Sequence, residues 1–474
     1  MSLTLFRLLN NFLMKNIYKL LLAVLIILLT TTMHSQTDNG WTIMYYGAGS
    51  NSSELDLFND INGMIKGKQS KGYEAITLID RIEGFSNDAK TLGENFTDTK
   101  LYKFDTGSYK ELSGRDILPE FKKETSYEAN MGDAYLLKRF IKYCKTYYPA
   151  KHYMLILRSH GDGWSMCPDD ESGTEDFLYS TELSDVLSVD ESVDILGLDV
   201  CSMAGLENFY EWRPNKTSFS VDYILASAPV SEAWDYNNIF TRLQTDEKIS
   251  KEKSYFEEGK EKNLDPFKMT PNQFSKLLIE EIYDSQKWSS WGLFDNSKIA
   301  DVKLKIDELA RLLSEEKKVN IYSIIEKTTG YYHEKKEGKV IQEIAFPYID
   351  AYDFSQKISN HQELDQKTRT KAKEVCEIIG QLIVYSYFGG KGPLPKKDNF
   401  EEGKNGVYLI APLGNKTDAL IEGTFWEYAK AWYSPYDRKD NQAHGLYDWC
   451  SDGLDTENEN VDNFYEYLDF LFTK

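Results

Sequence analysis

Two apolar segments of strand length, each ending abruptly in a reactive side chain, constrain this chain more than any other feature. Tyr153-Met-Leu-Ile-Leu157 runs through Arg158-Ser159 into His160-Gly161-Asp162-Gly163-Trp164. Ile195-Leu-Gly-Leu198 runs into Asp199-Val-Cys201-Ser-Met203-Ala-Gly205. Strands that are apolar throughout fit a parallel sheet buried on both faces. Open α/β sheets place their sites beyond the carboxyl ends of such strands. His160 and Cys201 lie 41 positions apart (201 minus 160), enough for a crossover between neighbouring parallel strands. Residues 177–187 are expected to supply its helix.

The flanking sequence repeats this texture. Residues 41–46, 73–79, 99–104, 193–198 and 223–226 read as strands, and 53–65 and 131–147 have helical apolar spacing. Ser53 is placed to cap the first of these helices. Strands alternating with helices indicate a mostly parallel sheet covered on both faces. From about residue 248 the pattern becomes mainly helical: 271–285, 299–315 and 366–388. A Gly/Pro/Lys linker follows at 391–397, then an apolar strand at 406–412 expected to return to the sheet, and an acidic tail from Asp448. The expected division is a targeting segment at 1–35, a catalytic core at 36–245, a mainly helical subdomain at 246–395 and a C-terminal strand and tail at 396–474.

Within the first 35 residues, a short basic stretch at 14–19 precedes an apolar run at 20–29 and a Thr/Ser-rich exit. This is the pattern of a secretory signal, with 1–13 as an upstream extension. The run falls short of the about 20 residues that a membrane span needs. The expectation is an exported protein, periplasmic, cell-surface or secreted, without a stable membrane span once processed. The formal net charge of −21 repels polyanions and argues against nucleic acid or an anionic membrane as partner. The chain carries five cysteines. An odd, scattered set is unlike a disulfide framework and leaves at least one thiol unpaired within an exported chain. No Cys/His spacing indicates zinc, and no metal ligands are assigned.

A thiol and an imidazole held at adjacent strand ends are a nucleophile and its proton acceptor. Gly161 removes a side chain where backbone must approach a substrate carbonyl, and the N–H groups of Gly161 and Cys201 are candidate oxyanion donors. Alone, His160 reads more readily as a core histidine and Cys201 as a small buried hydrophobe. Their shared context favours catalysis.

At these residues the chain resembles the clostripain family of cysteine peptidases, relatives of the caspases, gingipains and legumains. The resemblance rests on Ser159-His160-Gly161-Asp-Gly163-Trp164 and Asp199-Val-Cys201-Ser-Met203-Ala-Gly-Leu-Glu207. It is supported by 41–46, Ile79-Asp80-Arg81, 179–183, Ala226-Ser227, Trp234-Asp-Tyr236 and 406–412. It implies a caspase-like α/β/α sandwich, a His160–Cys201 dyad, an acyl-enzyme, and cleavage of proteins or peptides after Arg or Lys. In that family the Asp two residues before the Cys serves basic specificity, which here is Asp199. A carboxylate in a dry pocket pairs with guanidinium or ammonium, and Glu232 is a second candidate for the same pocket. No cofactor is required for such chemistry. Relatives of this kind can depend on calcium, but Asp448, Asp452, Asp455 and Glu457 miss the EF-hand spacing, so a solvated tail is expected there.

The chain departs from the family in one respect. Self-cleavage at a basic residue between His and Cys is common among its members, yet residues 161–212 contain no Lys or Arg. Processing at that place is therefore not expected. The alternative to a peptidase is a catalytically silent caspase-like surface binding module.

Overall fold

A computed structural model describes residues 39–473, except 69, 115–116, 118–125, 172–175, 230, 246–248, 252–260, 287–288, 332, 337–338, 343–347, 389–403, 413, 417–422, 431–432, 434–446 and 455–459. The targeting segment expected at 1–35 and the linker at 391–397 lie outside the described residues.

The chain opens with β1 (Trp41–Gly49), α1 (Glu54–Gly67), β2 (Tyr73–Arg81), β3 (Lys100–Asp105) and β4 (Ser108–Leu112). It continues with α2 (Ala134–Tyr147), β5 (His152–Arg158), a hairpin of β6 (Ser165–Asp169) and β7 (Asp176–Tyr179), and α3 (Ser180–Val186). Next come β8 (Val193–Asp199), α4 (Leu206–Glu211), β9 (Val221–Ala226), α5 (Tyr236–Thr241), α6 (Pro271–Ser285) and β10 (Ser290–Asp295). After α7 (Ile299–Leu313) and α8 (Lys318–Lys327) follow β11 (Tyr348–Asp350), α9 (Ala351–Asn360), α10 (Gln366–Leu382), β12 (Ile383–Phe388), β13 (Tyr408–Ile410) and α11 (Phe464–Thr473).

Nine strands form the principal sheet in the order β12-β10-β9-β8-β5-β1-β2-β3-β4. Its centre, from β9 through β8, β5 and β1 to β2, is parallel. Both margins are antiparallel. Alternation along the strands assigns the two faces. In β5, Leu155 and Leu157 pack with Leu137, Phe140 and Phe209, whereas Met154 and Ile156 pack with Leu57, Ile61 and Phe274. All nine residues of β1 are buried. The result is the α/β/α sandwich expected from the apolar strands.

Four particulars differ from the sequence reading. Residues 366–388 are not one helix: α10 ends at Leu382 and Ile-Val-Tyr-Ser-Tyr-Phe forms β12. β-Branched and aromatic side chains fit a pleated edge better than another helical turn. The stretch 246–395 also contributes β10, so it supplies two sheet strands besides its helices, and Asn39–Lys474 is one compact unit. The 406–412 segment does not return to the principal sheet. Its β13 pairs antiparallel with β11 and touches Gly205 through a single parallel bridge. Ser53 begins α1 without a side-chain cap; its Oγ donates instead to the Ala48 carbonyl at 3.1 Å.

β13 is a brace for the loops beyond β5 and β8. The Tyr408 hydroxyl donates to the Gly163 carbonyl at 2.8 Å, and its N–H donates to the Ala204 carbonyl at 2.9 Å. Asn208 Nδ2 donates to both the Gly163 carbonyl and the Tyr408 hydroxyl. A methyl at Gly205 would stand 2.3 Å from the Tyr408 ring, which is stacked on Tyr348 at 4.2 Å. Gly205→Ala should therefore destabilise the protein by about 1–3 kcal/mol through overpacking. Urea unfolding of the variant checks this value, and an unchanged midpoint would show that the brace yields freely.

Candidate active site

The β5–β8 register pairs Arg158 with Asp199, so His160 and Cys201, each two residues further on, leave the sheet at the same level. The turn after His160 folds back as β6: Cys167 N–H donates to the His160 carbonyl at 3.1 Å, and Gly161 bridges Met166. Gly161 lies against the other loop, since a methyl there would be 2.6 Å from the Cys201 carbonyl oxygen. Gly163 adopts φ +115°, and a methyl on it would overlap the Tyr348 hydroxyl. Both positions therefore require glycine. Beyond Cys201 the chain turns through Ser202 at φ 59°, uncommon for a residue with a side chain.

The thiol and the imidazole have separate partners in this state. Cys201 Sγ donates to the Ser231 carbonyl at 3.8 Å and accepts from the Ser231 N–H at 3.5 Å. His160 is exposed, and its Nε2 shares a 2.8 Å hydrogen bond with Ser52 Oγ. Burial pushes the Cys201 thiol above its ordinary range, opposed by the Ser231 hydrogen bonds and Arg158. Burial, and then Arg158, lower His160. Both shifts favour the uncharged forms of the two groups. Catalytic hydrogen bonds are often long or absent before substrate binds.

Beneath the two strand ends lies a buried charge group. Arg158 Nε is 2.9 Å from Asp60 Oδ2 and 3.5 Å from Asp199 Oδ2, and its Nη2 is 3.3 Å from Asp56. The Tyr45 hydroxyl donates to Asp60 and the Tyr236 hydroxyl to Asp199, at 2.9 and 2.8 Å. Burial pushes the Asp60 carboxyl up to about 7, and Arg158 pulls the other way. Burial likewise raises Asp199 against Arg158, Tyr236 and the Trp234 N–H.

A cleft of about 410 Å³ opens beside this group. Asp56, Asp60, Glu232, Trp234, Asp235 and Tyr236 are among its walls, with Lys66 as a basic residue there. The site residues read from the sequence thus divide. Gly161 lies against Cys201 and His160 leaves the neighbouring strand end at the same level, Glu232 lines the cleft, and Asp199 sits one layer below, paired with Arg158. Ser52, Ser231, Asp60 and Arg158 join the site without a motif in the sequence that names them. A signal existed for two of them: Asp60 falls on the apolar stripe of α1 between Leu57 and Ile61, and Arg158 ends an apolar strand. A charge in either place must be paired.

The clostripain family profile, peptidase C11, matches residues 45–460. Clostripain of Hathewaya histolytica is 36% identical over 473 residues, covering 91% of this chain and 87% of that protein. The chain belongs to the clostripain family. It is a cysteine peptidase, a hydrolase acting on proteins or peptides. Its fold is similar to that of an inactive zymogen C11 protease from Parabacteroides distasonis. That likeness has a TM-score of 0.53 at 14% identity and covers 83% of this chain and 96% of that one. A secreted C11 cysteine protease from Bacteroides thetaiotaomicron, bound to an irreversible peptide inhibitor, gives a TM-score of 0.52 at 15% identity, with the same coverage. Among the described residues no helix is long and apolar enough to cross a membrane.

The raised thiol has a measurable consequence. Alkylation of substrate-free protein at Cys201 by iodoacetamide should climb with pH and reach half its maximum above the free-thiol value of about 8.5. A plateau already reached below pH 7 would mean a preformed thiolate–imidazolium pair.

Proposed function

We propose that this clostripain-family peptidase is an exported endopeptidase that cleaves after Arg or Lys, with Cys201 as nucleophile and His160 as general base. The observation that carries the reading is the β5–β8 register. It brings the chain at His160 and at Cys201 to the same carboxyl end of the parallel strands, with the Gly161 backbone against the Cys201 carbonyl.

In the proposed reaction Cys201 Sγ attacks the scissile carbonyl carbon as its proton passes to the His160 ring. The carbonyl oxygen takes the negative charge and is held by the N–H groups of Gly161 and Cys201. The C–N bond then breaks, His160 returns the proton to the leaving amine, and a thioester remains on Cys201. Water, deprotonated by His160, attacks the thioester; the acid product leaves and the thiol is restored. A lowered imidazole pKa keeps the base unprotonated at neutral pH.

Charge supports the specificity. Asp60 and Asp199 share one guanidinium, so the buried group stays net negative once both carboxyls are ionised. Asp56 and Glu232 add negative walls to the cleft. In this arrangement Asp199 sets the charge of the floor, while Glu232 is the residue placed to meet an entering cation. Export rests on the signal-like residues 1–35.

Peptides ending in Arg, Lys, Asp or Asn before a fluorogenic amide test this reading. Turnover is expected after Arg and Lys alone and should vanish in Cys201→Ala. Glu232→Gln should raise KM for the Arg peptide by about ten-fold, a lost charge-assisted pair of about 1.4 kcal/mol, with kcat little changed. Cleavage after Asp or Asn, or turnover surviving in Cys201→Ala, would refute the assignment. We also expect no cut within 161–212 in the purified wild type. Intact mass of the protein before and after incubation checks this, and a cut there that Cys201→Ala lacks would contradict it.

A further inference from the structure

The turn between β1 and α1 carries the residue that meets His160. Ser52 Oγ shares a 2.8 Å hydrogen bond with the ring Nε2, and among the described residues the ring has no other hydrogen bond. Buried groups hold this turn in place. Asn51 Nδ2 has three acceptors: the Ala48 carbonyl at 3.2 Å, Ser159 Oγ at 3.1 Å and the Pro168 carbonyl at 2.7 Å. Its Oδ1 accepts from the Ser53 N–H at 2.9 Å. Ser159 Oγ and Ser53 Oγ both donate to the Ala48 carbonyl, at 2.7 and 3.1 Å, and the Asp170 N–H donates to the Ser50 carbonyl at 3.0 Å. Beyond the turn, Glu54 at the start of α1 forms a fully buried ion pair with Arg81 at 2.6 Å. The turn is thus bonded to the residue before His160 and to the hairpin after it. A hydroxyl on such a support can fix a ring, whereas one on a loose loop cannot.

We propose that Ser52 is a positioning residue for His160: its hydroxyl accepts from Nε2–H and leaves Nδ1 bare for the Cys201 proton. The inference rests on the His160–Cys201 chemistry proposed above. A neutral imidazole has one N–H and one bare nitrogen, and only the bare one can take a proton. With Nε2 engaged by Ser52, the ring can serve the thiol only through Nδ1. As Cys201 Sγ attacks the substrate carbonyl, the S–H proton passes to Nδ1 and the imidazolium keeps its Nε2–H on Ser52. That bond is then charge-assisted, so it stabilises the charged ring more than the neutral one. When Nδ1 returns the proton to the leaving amine, the ring resumes the same tautomer. Ser52 itself neither gains nor loses a proton. The charges around the ring lie elsewhere: Arg158 opposes the imidazolium, while Asp170 and Asp56 favour it. A neutral replacement of Ser52 leaves all three in place, so its effect reads the hydrogen bond.

The test compares Ser52→Ala, Ser52→Thr and His160→Ala with the wild type on the fluorogenic Arg peptide. Ser52 is exposed, so Ser52→Ala should keep the parent melting temperature. Its kcat should fall about ten-fold, the loss of one hydrogen bond to a charged group, with KM little changed. Ser52→Thr, which keeps the hydroxyl, should regain most of that loss. A second readout needs no turnover and uses Cys201→Ala protein with isotope-labelled histidine, in which the His160 signal is identified by its loss on adding His160→Ala. Nuclear magnetic resonance should find the neutral ring protonated on Nε2. Adding Ser52→Ala should move its titration to lower pH, because the imidazolium loses an acceptor, and Ser52→Thr should not. The inference fails if the Nδ1–H tautomer prevails, if the titration does not move, or if Ser52→Thr is as slow as Ser52→Ala. It also fails if Ser52→Ala turns over as fast as the wild type, and a faster variant would mean that Ser52 holds the imidazole back. Full turnover in His160→Ala would instead overturn the dyad itself.

Discussion

The parallel pairing of β5 with β8 is the constraint on which the rest of the site depends. Register in a buried strand pair is enforced by the faces: a slip of one residue would turn Leu155 and Leu157 away from their own layer and expose the wrong side chains to each core. The same hydrogen bonds that hold Arg158 opposite Asp199 therefore hold the chain before His160 level with the chain before Cys201. Neither loop needs to find the other by its own contacts. Outside the principal sheet, β13 keeps both loops from splaying, with Tyr408 and Asn208 bonded to the Gly163 carbonyl and Tyr408 N–H bonded to Ala204.

Under this frame lies the Arg158 group. A guanidinium almost wholly out of water would be untenable alone, and so would Asp60 and Asp199. Together, with the hydroxyls of Tyr45 and Tyr236, they make a polar floor between β1, β5, β8 and α1. Burial works against the charge on Arg158, and the two carboxylates outweigh it. One cation between two carboxyls leaves the floor an anionic excess once both are ionised. Specificity of the kind proposed then belongs to a group of residues more than to any single pocket acid. Arg158 also lowers the proton affinity of both His160 and Cys201, so the buried charge group bears on the two strand-end residues above it.

The parts of this molecule legible in its sequence are those where a local pattern and a tertiary role coincide. Continuous apolar runs gave the central parallel strands, and their sudden polar ends marked His160 and Cys201. Gly161 was readable because a glycine beside a reactive residue signals close backbone approach. What escaped were features whose cause lies far along the chain. Ser52 and Ser231 take their places only when the turn after β1 and the segment after β9 reach the same edge. β12 reads as the end of a helix until β10 presents an edge for it to join. β13 reads as a sheet strand, yet its partners are β11 and the loop after Cys201.

The central claim is that Cys201, served by His160, is the nucleophile for bonds following a basic residue. Labelling with a peptidyl acyloxymethyl ketone ending in Arg, followed by mass-spectrometric mapping, tests it most directly. The account predicts one adduct per chain, on Cys201, greatly slowed in His160→Ala and outcompeted by an Arg peptide. An adduct on another of the five cysteines, or labelling of Cys201 that is indifferent to His160, would contradict it.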